Sequence, residues 1–278
     1  MIEHTFRHIH GIGEKKEERI WRSRLYNWDL ALEYIKLHYS LDIINRFENI
    51  FNKSKSNIDN NPKYFSKRLD SNQHWRLFRN FKDCAAYLDI ETTGLYPMWA
   101  KITTISLYDG KNIYCYINGK NLTDFIKDIS KYKLLITYNG KCFDIPFINH
   151  HLNCNLDQAH IDLRFVLHSL GFKGGLKGCE KQLGVNRKDL NDIDGLFAID
   201  LWYEYKNTGN ENALSTLLAY NIEDVINLEY LMHVAYNLKI LRLPFYKEIK
   251  MSIPKKPNNP YEADVMLIKR LKKRLYGI

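Results

Sequence analysis

Two carboxylates lie two positions apart in a short apolar stretch, AYLDIETTGL, at residues 86–95. Side chains two apart on a strand face the same side, so Asp89 and Glu91 are expected to point together. Buried carboxylates cost folding free energy unless a cation compensates them. A purely structural role would need cations such as Lys82 and Lys101, which lie in the flanking segments. A divalent metal ion is the other possible partner.

Two further carboxylates occur in similar apolar surroundings. Asp144 stands in TYNGKCFDIPF, just beyond a predicted buried strand and near the start of a helix, where an acidic residue also suits the helix dipole. Asp224 lies in LLAYNIEDVINLEYL, four residues after Tyr220, so both side chains share one helical face. Core packing of the tyrosine beside an exposed Asp224 is the structural alternative. Each pattern alone fits either role.

The elements that would position these groups follow from the periodicity of the sequence. AAYLDIE, ITTISLYD and NIYCYIN predict three antiparallel strands, the last two joined at Asp109-Gly110. NLTDFIKDISKY predicts a helix capped by Asn121, and KLLITYNG and AHIDLR predict two further strands. A helix is expected near Phe143, and a long one from Asn212 to Leu238. The order indicates an α/β fold, with a mixed sheet flanked by helices.

The three acidic segments together resemble a known set of motifs. LDIETTGL, YNGKCFDIPF and YNIED are similar, in this order, to the motifs of DEDD (DnaQ-like) 3′→5′ exonucleases of the ribonuclease H-like fold. The Tyr-x-x-x-Asp form of the third motif resembles the tyrosine subclass. The second motif is similar to that of the proofreading domains of B-family DNA polymerases. HIDLRFVLHSLGFKGGLKGCEKQLGV resembles the corresponding stretch of YprB-type ribonuclease H-like proteins.

The resemblance covers roughly residues 85–236 and implies both a fold and a site. The implied fold is a ribonuclease H-like mixed sheet, three antiparallel strands followed by parallel ones, with a small N-terminal helical segment. The implied metal ligands of two Mg²⁺ or Mn²⁺ ions are Asp89, Glu91, Asp144 and Asp224. Tyr220 would orient the attacking water, because a phenol with an ordinary pKa of about 10 is a poor base at neutral pH.

The same resemblance implies contacts with the substrate. Thr92 and Leu95 match positions that contact or wedge against the terminal nucleotide, and Asn139 would support the same pocket. Asp162 and Asp200 are not needed for the implied site, and we interpret both as structural or capping residues. The adjacent His150 and His151 would diverge on a helix, which favours surface positions over joint metal binding.

Charge is unevenly distributed along the chain, whose formal net charge is +9. Residues 1–80 carry a net charge of +5, residues 81–238 carry −4 and residues 239–278 carry +8. Two basic flanks around an acidic middle are the distribution expected of a protein that binds a polyanion and holds divalent cations. Solvated surface charge is the alternative interpretation of the flanks.

Both flanks contain candidate contacts for nucleic acid. HIHGIGEKKEERIWRSRLYNWDLAL resembles one helix-hairpin-helix element, in which Gly11 and Gly13 would permit close approach to a phosphate and Lys15 and Lys16 would add charge. Simple packing of two helices is the alternative. The tail IKRLKKRLYGI predicts a basic amphipathic helix with apolar residues spaced along one face, namely Ile268, Leu271 and Leu275. It could bind phosphate, dock on the catalytic domain or contact a partner.

The predicted organisation has four parts. Residues 1–51 form a helical segment, 52–80 a linker and lead-in helix, 81–240 the exonuclease domain and 241–278 a basic tail. The linker prediction rests on the polar stretch NKSKSNIDNNP. The five scattered cysteines, the polar N-terminus and the lack of an apolar run of about 20 residues predict a cytoplasmic protein with no membrane association.

These expectations combine into one functional hypothesis. The chain is expected to be a metal-dependent 3′→5′ exonuclease that hydrolyses single-stranded nucleic acid, with DNA preferred over RNA. The alternatives are a structure-selective endonuclease on the same fold and a non-catalytic nucleic-acid-binding module.

Overall fold

A five-stranded mixed sheet occupies the middle of the computed structural model, which describes residues 1–277. The strand order is β3-β2-β1-β4-β5. The two pairs β1–β2 and β2–β3 are antiparallel, and β1–β4 and β4–β5 are parallel. This confirms the predicted fold class and the three antiparallel strands. The strands are β1 (Ala85–Thr92), β2 (Ile102–Tyr108), β3 (Ile113–Ile117), β4 (Leu134–Thr137) and β5 (Ala159–Asp162).

Helices precede the sheet, cover it and follow it. The α-helices are α1 (Glu14–Arg22), α2 (Trp28–His38), α3 (Leu41–Asn57), α4 (Pro62–Ser66), α5 (Phe78–Phe81), α6 (Asp124–Ile129), α7 (Asp144–His151), α8 (Leu163–His168), α9 (Gly175–Gln182), α10 (Gly195–Thr208), α11 (Glu211–Ile240), α12 (Tyr246–Ile249) and α13 (Val265–Tyr276). Short 3₁₀ helices lie at Ile2–His4, Ser71–Leu77, Lys82–Cys84 and Lys188–Leu190.

Strand β1 has different neighbours on its two faces, as its alternating sequence predicts. Leu88 and Ile90 pack in a hydrophobic cluster with residues of β2, α6 and α7. Asp89 and Glu91 alternate with them and therefore point to the opposite face, over which α11 lies. The β1–β2 register shifts between Glu91 and Thr92, which marks a bulge where the strand leaves the ladder.

The polar stretch at residues 52–62 is not a loop throughout, because α3 continues to Asn57. The helix is extended by tertiary contacts that composition does not reveal. Phe51 is buried in the main hydrophobic cluster, and the buried Ser54 forms a hydrogen bond of 2.9 Å with His8. The loop prediction was therefore wrong for residues 52–57.

The predicted cap at Asn121 was also wrong. Helix α6 begins only at Asp124, and the side chain of Asn121 turns back toward β3. Its Oδ1 accepts from the Ile117 amide at 2.8 Å, and its Nδ2 donates to the Cys115 carbonyl at 3.0 Å. The asparagine thus closes the end of a strand, because free backbone groups there compete for the side chain that would otherwise cap the helix.

The amino-terminal helices share a core with the sheet region. Phe6 and Trp28 belong to the same hydrophobic cluster as Tyr236 of α11. A buried ion pair adds to this contact, since Arg76 donates to both carboxylate oxygens of Glu17 at 2.9 and 2.8 Å. The proposed boundaries at residues 51 and 80 therefore do not separate two independent cores.

Helix α13 packs on α10 and α11, so docking within this chain is the role of the basic tail, among the three considered, that the fold supports. Ile268 and Leu271 are buried in a cluster with residues of α10 and α11. Arg274 donates to Glu204 of α10 at 2.7 Å. Leu275 is 45% exposed and extends beyond the buried face.

None of the helices within residues 1–277 has both the length and the apolar character needed to cross a membrane.

Candidate active site

Carboxylates from β1 and α11 converge at one point above the sheet. One ligand oxygen each from Asp89, Glu91 and Asp224 lies within 4.8 Å of the other two. Glu91 and Asp224 are buried, and Asp89 is partly exposed. The tertiary structure therefore brings together two segments separated by more than a hundred residues.

Among the residues that the structure describes, the cluster consists of Asp89, Glu91 and Asp224, and Asp144 lies outside it. It is the first residue of α7 and is buried. Burial raises the pKa of its carboxyl to about 7. Hydrogen bonds from the backbone amides of Asp144 and Ile90 stabilise the charged form and so oppose this rise. Its charge in turn raises the pKa values of Asp89 and Glu91, so the fourth carboxylate acts on the same site.

The electrostatics of the cluster disfavour four negative charges. Burial, and then the charges of Asp224 and Asp144, raise the pKa values of Asp89 and Glu91 well above their ordinary range. Burial also raises the pKa of Asp224 to about 6, although Arg187 lowers it. When all of these carboxylates are ionised, their negative charges therefore exceed the positive charge that the neighbouring residues supply.

Arg187 is a buried cation at this site that the sequence motifs did not reveal. Its guanidinium binds both carboxylate oxygens of Glu180, at 2.6 and 2.7 Å, and forms an ion pair with Asp224. Asn227 of α11 donates to Glu180 at 2.9 Å. Burial alone would lower the pKa of Arg187, but Asp224 and Glu180 raise it. The guanidinium remains charged and fixes one side of the Asp224 carboxylate.

Asn221 is the second residue that sequence reasoning missed. It is fully buried and donates to Asp89 Oδ2 at 2.7 Å. Its own Oδ1 accepts from Ser106 at 2.8 Å and from Thr104 at 3.1 Å. One side chain of α11 therefore joins two residues of β2 to a carboxylate of β1 that belongs to the cluster. Its position next to Tyr220, as a polar residue within an apolar helix, was the signal available in the sequence.

Tyr220 lies one helical turn before Asp224 and is buried. Burial, and then the charges of Asp224 and Glu91, raise the pKa of its phenol above the ordinary range. The ammonium of Lys177 lies 5.2 Å from the ring centre, and the Arg187 guanidinium lies 5.7 Å from it. The phenol therefore keeps its proton and can donate a hydrogen bond.

The predicted substrate-contacting residues lie in two segments, one at the end of β1 and in the turn after it, the other in the loop after β4. Thr92 is buried and donates to the Gly94 carbonyl at 2.6 Å, whereas Leu95 is exposed. Asn139 has a left-handed backbone (φ 66°), and its Oδ1 accepts from Arg164 at 2.5 Å.

Asp162 holds the second of these segments in place. Its carboxylate accepts from the amides of Asn139, Lys141 and Arg164 at 2.8, 3.1 and 3.0 Å. It caps α8, as predicted. The carboxylate of Asp200 accepts a hydrogen bond from the hydroxyl of Tyr276 in α13, so its contact is structural as well.

The GIG turn precedes α1, as the sequence indicates. Gly11 has a φ of 83°, which favours glycine, and Gly13 precedes the first helical residue. Gly11, Lys15 and Lys16 are exposed. Lys16 donates to the Gly11 carbonyl at 2.8 Å, so its ammonium closes the turn on itself.

A family model described as the RNase H superfamily matches residues 86–236, more than half of the 278 residues. The chain belongs to the RNase H superfamily. This match includes the cluster, Asp144 and Tyr220. No curated protein matches the chain.

Solved structures are similar to parts of this superfamily member at low identity. The family B DNA polymerase of Pyrobaculum calidifontis is 16% identical with a TM-score of 0.41, and the match covers 60% of this chain and 27% of the polymerase. NrnC of Brucella melitensis, solved with bound Mg²⁺, is 18% identical with a TM-score of 0.40 over 62% of this chain and 81% of NrnC. The same protein bound to pGG is 16% identical with a TM-score of 0.39, at the same coverage of both chains. The chain therefore spans only about a quarter of the polymerase.

The donors of the cluster fit a divalent cation. Carboxylate oxygens are the hard ligands that Mg²⁺ and Mn²⁺ prefer. Asp224 Oδ1 is buried and accepts no hydrogen bond from residues 1–277; its contact with Arg187 is that of an ion pair. Across the same residues, no lysine or arginine forms an ion pair with Asp89 or Glu91. A bound cation would supply the charge that these oxygens lack.

Proposed function

We propose that this chain is a metal-dependent 3′→5′ exonuclease of the DEDD type, tyrosine subclass and YprB-like, acting on single-stranded nucleic acid. The observation that carries the proposal is the convergence of Asp89, Glu91 and Asp224 within 4.8 Å, with Tyr220 one turn before Asp224. Acidic side chains from two motifs of the resemblance thus meet at one point. The match to the RNase H superfamily over the same residues supports the proposal.

The chemistry is hydrolysis of the terminal phosphodiester. Mg²⁺ or Mn²⁺, as a pair of ions, would supply Lewis-acid stabilisation of the attacking and leaving oxygens. Asp89, Glu91 and Asp224 would bind this pair, with Asp144 as the fourth ligand. The Tyr220 phenol, which keeps its proton, would orient the attacking water by a hydrogen bond rather than act as the base.

The chain's own residues would also hold Asp89 and Asp224 ready for the reaction. Asn221 donates to Asp89, and Arg187 pairs with Asp224, so both carboxylates have fixed orientations before substrate binds. Ligands that are already oriented need no reorganisation when the transition state forms. This preorganisation is a usual source of the rate enhancement of enzymes. Asn221 and Arg187 are thus proposed as positioning residues.

Substrate contacts are proposed at two places on the molecule. Thr92, Leu95 and Asn139 would contact the 3′-terminal nucleotide. The second place is the GIG turn, where a phosphate of the strand would be held by Gly11, Gly13, Lys15 and Lys16. The proposed preference for DNA rests on two resemblances, that of this turn to a helix-hairpin-helix element and that of the second motif to the proofreading domains of B-family DNA polymerases. Residues 81–240 would form the catalytic unit, with 1–51, 52–80 and 241–278 as its flanks.

The test is degradation of end-labelled single strands of DNA and RNA, run side by side with Mg²⁺, Mn²⁺ or chelator. A 5′ label should yield a ladder that shortens from the 3′ end, only with metal, and faster on DNA. Asp89→Asn should abolish the ladder, since the variant keeps the shape of the side chain but loses a charged ligand. Asp109→Asn, on the turn between β2 and β3, is the matched control and should degrade the strand at the parental rate.

Other patterns would reject parts of the proposal. A single internal cut would indicate an endonuclease, and binding without cleavage would indicate a non-catalytic module. Degradation that persists in chelator, or in Asp89→Asn, would remove the metal site from the mechanism. Faster degradation of RNA would overturn the DNA preference alone.

A further inference from the structure

The connection between β1 and β2 exposes a group of large apolar side chains. Leu95, Tyr96, Met98 and Trp99 are 74%, 71%, 74% and 84% exposed. A cluster of exposed apolar side chains in one short segment is unusual on a protein surface. Such a cluster marks an interaction site more often than single exposed apolar residues do. The segment Tyr96–Trp99 is called the aromatic loop below.

The backbone of this connection is held by hydrogen bonds. The Thr93 amide donates to the Lys101 carbonyl at 2.9 Å, and the Lys101 amide donates to the Thr93 hydroxyl at 2.9 Å. Inside this closure, the amides of Trp99 and Ala100 donate to the Tyr96 carbonyl at 3.1 and 2.9 Å. Ala100 is buried in the hydrophobic cluster beneath the sheet, while its neighbours Met98 and Trp99 are exposed. Exposure of the aromatic side chains is therefore built into the turn.

The aromatic loop follows the proposed active site directly along the chain. Glu91 belongs to the carboxylate cluster, and Thr92 comes immediately after it as the last residue of β1. The side chain of Thr92 is buried, and the chain then turns outward into the exposed loop. Residues 92–108 contain no aspartate or glutamate, and Lys101 closes the loop. The exposed segment that leaves the site thus carries aromatic side chains and a lysine, and no carboxylate.

We propose that Tyr96, Met98 and Trp99 form a platform on which bases of the single strand stack while its 3′ end enters the carboxylate cluster. This rests on the proposed function, since the strand must end at that site. Base–aromatic stacking tolerates any sequence, which suits an enzyme that removes nucleotides one after another. The adjoining Lys101 and the absence of acidic residues favour a nucleic acid over a protein as the occupant.

Trp99 provides a probe of this contact. The chain has five tryptophans, and the other four are at most 7% exposed, namely Trp21, Trp28, Trp75 and Trp202. A stacked base should therefore quench Trp99 in particular, and protect it from a soluble quencher such as acrylamide. The buried tryptophans should respond to neither.

The experiment titrates full-length Asp89→Asn protein with an oligothymidylate of about 12 nucleotides in the presence of Mg²⁺. Binding is followed by polarisation of a labelled strand and by tryptophan emission, and a gel verifies that the strand stays intact. The emission should fall on binding. Adding Trp99→Ala should weaken binding by about 5- to 150-fold, the range expected for loss of one stacked base. Trp99→Phe should retain most of the affinity but lose the quenching.

Two controls make the result specific. Tyr39→Ala removes an aromatic ring that is also half exposed, but in the amino-terminal helices, and should bind as the parent does. An abasic strand of the same length presents phosphates without bases and should bind more weakly, with no quenching. Equal affinity of Trp99→Ala and the parent, or equal quenching by the abasic strand, would overturn the platform.

The two proposals fail separately. If the parental chain with metal leaves labelled strands intact, the nuclease proposal is rejected whatever the binding data show. If the parent degrades strands while Trp99→Ala binds them equally well, only the platform is rejected. A Trp99→Ala variant that circular dichroism shows to be unfolded is replaced by Trp99→Phe and Tyr96→Ala, for which retained and reduced affinity are the respective expectations.

Discussion

Arg187 places a permanent positive charge beside the buried carboxylates of Glu180 and Asp224. It binds Glu180 through two hydrogen bonds and pairs with Asp224, and its side chain is almost entirely buried. Four clustered carboxylates would repel one another, and this guanidinium offsets part of that repulsion. Arg187 is thus both a structural and a positioning residue of the proposed site.

We expect Arg187→Met to lower the free energy of unfolding by about 3–5 kcal/mol, because Glu180 would remain buried without its cation. Urea denaturation measures the change. Arg22→Met is the control, since Arg22 pairs with Glu18 on the exposed surface of α1 and should contribute less than about 1 kcal/mol. Equal effects of the two substitutions would show that the buried pair does not stabilise the fold.

Tyr220→Phe tests a single hydroxyl. The ring and its packing stay, but the proposed water-orienting hydrogen bond is lost, so kcat should fall by about 100-fold. Affinity for Mg²⁺, measured by calorimetry, should stay within a factor of about two, since the phenol is not a proposed ligand. Turnover equal to that of the parent would remove the hydroxyl from the mechanism.

Helix α11 does most of the positioning at the scale of elements. Its 30 residues carry Tyr220, Asn221 and Asp224 over β1 and β2. In its later turns, Tyr236 packs against Trp75 and Phe78, which precede the sheet. Helix α13 then covers α10 and the first part of α11. The basic tail therefore packs, through the apolar face of α13, against the helix that carries the proposed catalytic residues.

Leu271→Ala should show that α13 is part of the core. Leu271 is fully buried, so its truncation should cost about 2–5 kcal/mol of unfolding free energy. Met266→Ala on the same helix is the control, because Met266 is exposed and its loss should cost less than about 0.5 kcal/mol. Thermal or urea denaturation compares the two. A Leu271→Ala protein as stable as the control would mean that α13 docks without contributing to the fold.

At the scale of the whole molecule, stability and metal binding should be linked through pH. The pKa of Asp144 rises from a reference of 3.8 to about 7 and that of Asp224 to about 6, in both cases chiefly because of burial. Between these values and 3.8 the native state binds more protons than the unfolded chain. Stability of the metal-free protein should therefore fall as pH rises through this window.

Added Mg²⁺ or Mn²⁺ should raise the Tm more at about pH 8 than at about pH 5, because the cation binds ionised carboxylates and competes with protons for them. Differential scanning calorimetry with and without chelator measures both increments. Asp144→Asn/Asp224→Asn should flatten the pH dependence and reduce the metal increment. Equal increments at the two pH values in the parent would contradict the linkage.

The sequence predicted the sheet well because its signals are local. Alternation in β1 and turn residues at Asp109-Gly110 act over a few positions, and the antiparallel strands formed as expected. The extension of α3 to Asn57 and the turning of Asn121 toward β3 were not predictable in this way. Both depend on partners elsewhere in the chain, which override local propensity.

By itself, the sequence determined which carboxylates are candidates, since an acidic residue in an apolar stretch is costly wherever the chain folds. It also determined that Asp89 and Glu91 share a face of β1. Only the tertiary structure decided that Asp224 meets them, that Asn221 orients Asp89, and that Arg187 supplies the buried charge. These contacts join residues far apart in the chain, and their energies depend on burial and distance, which exist only after folding.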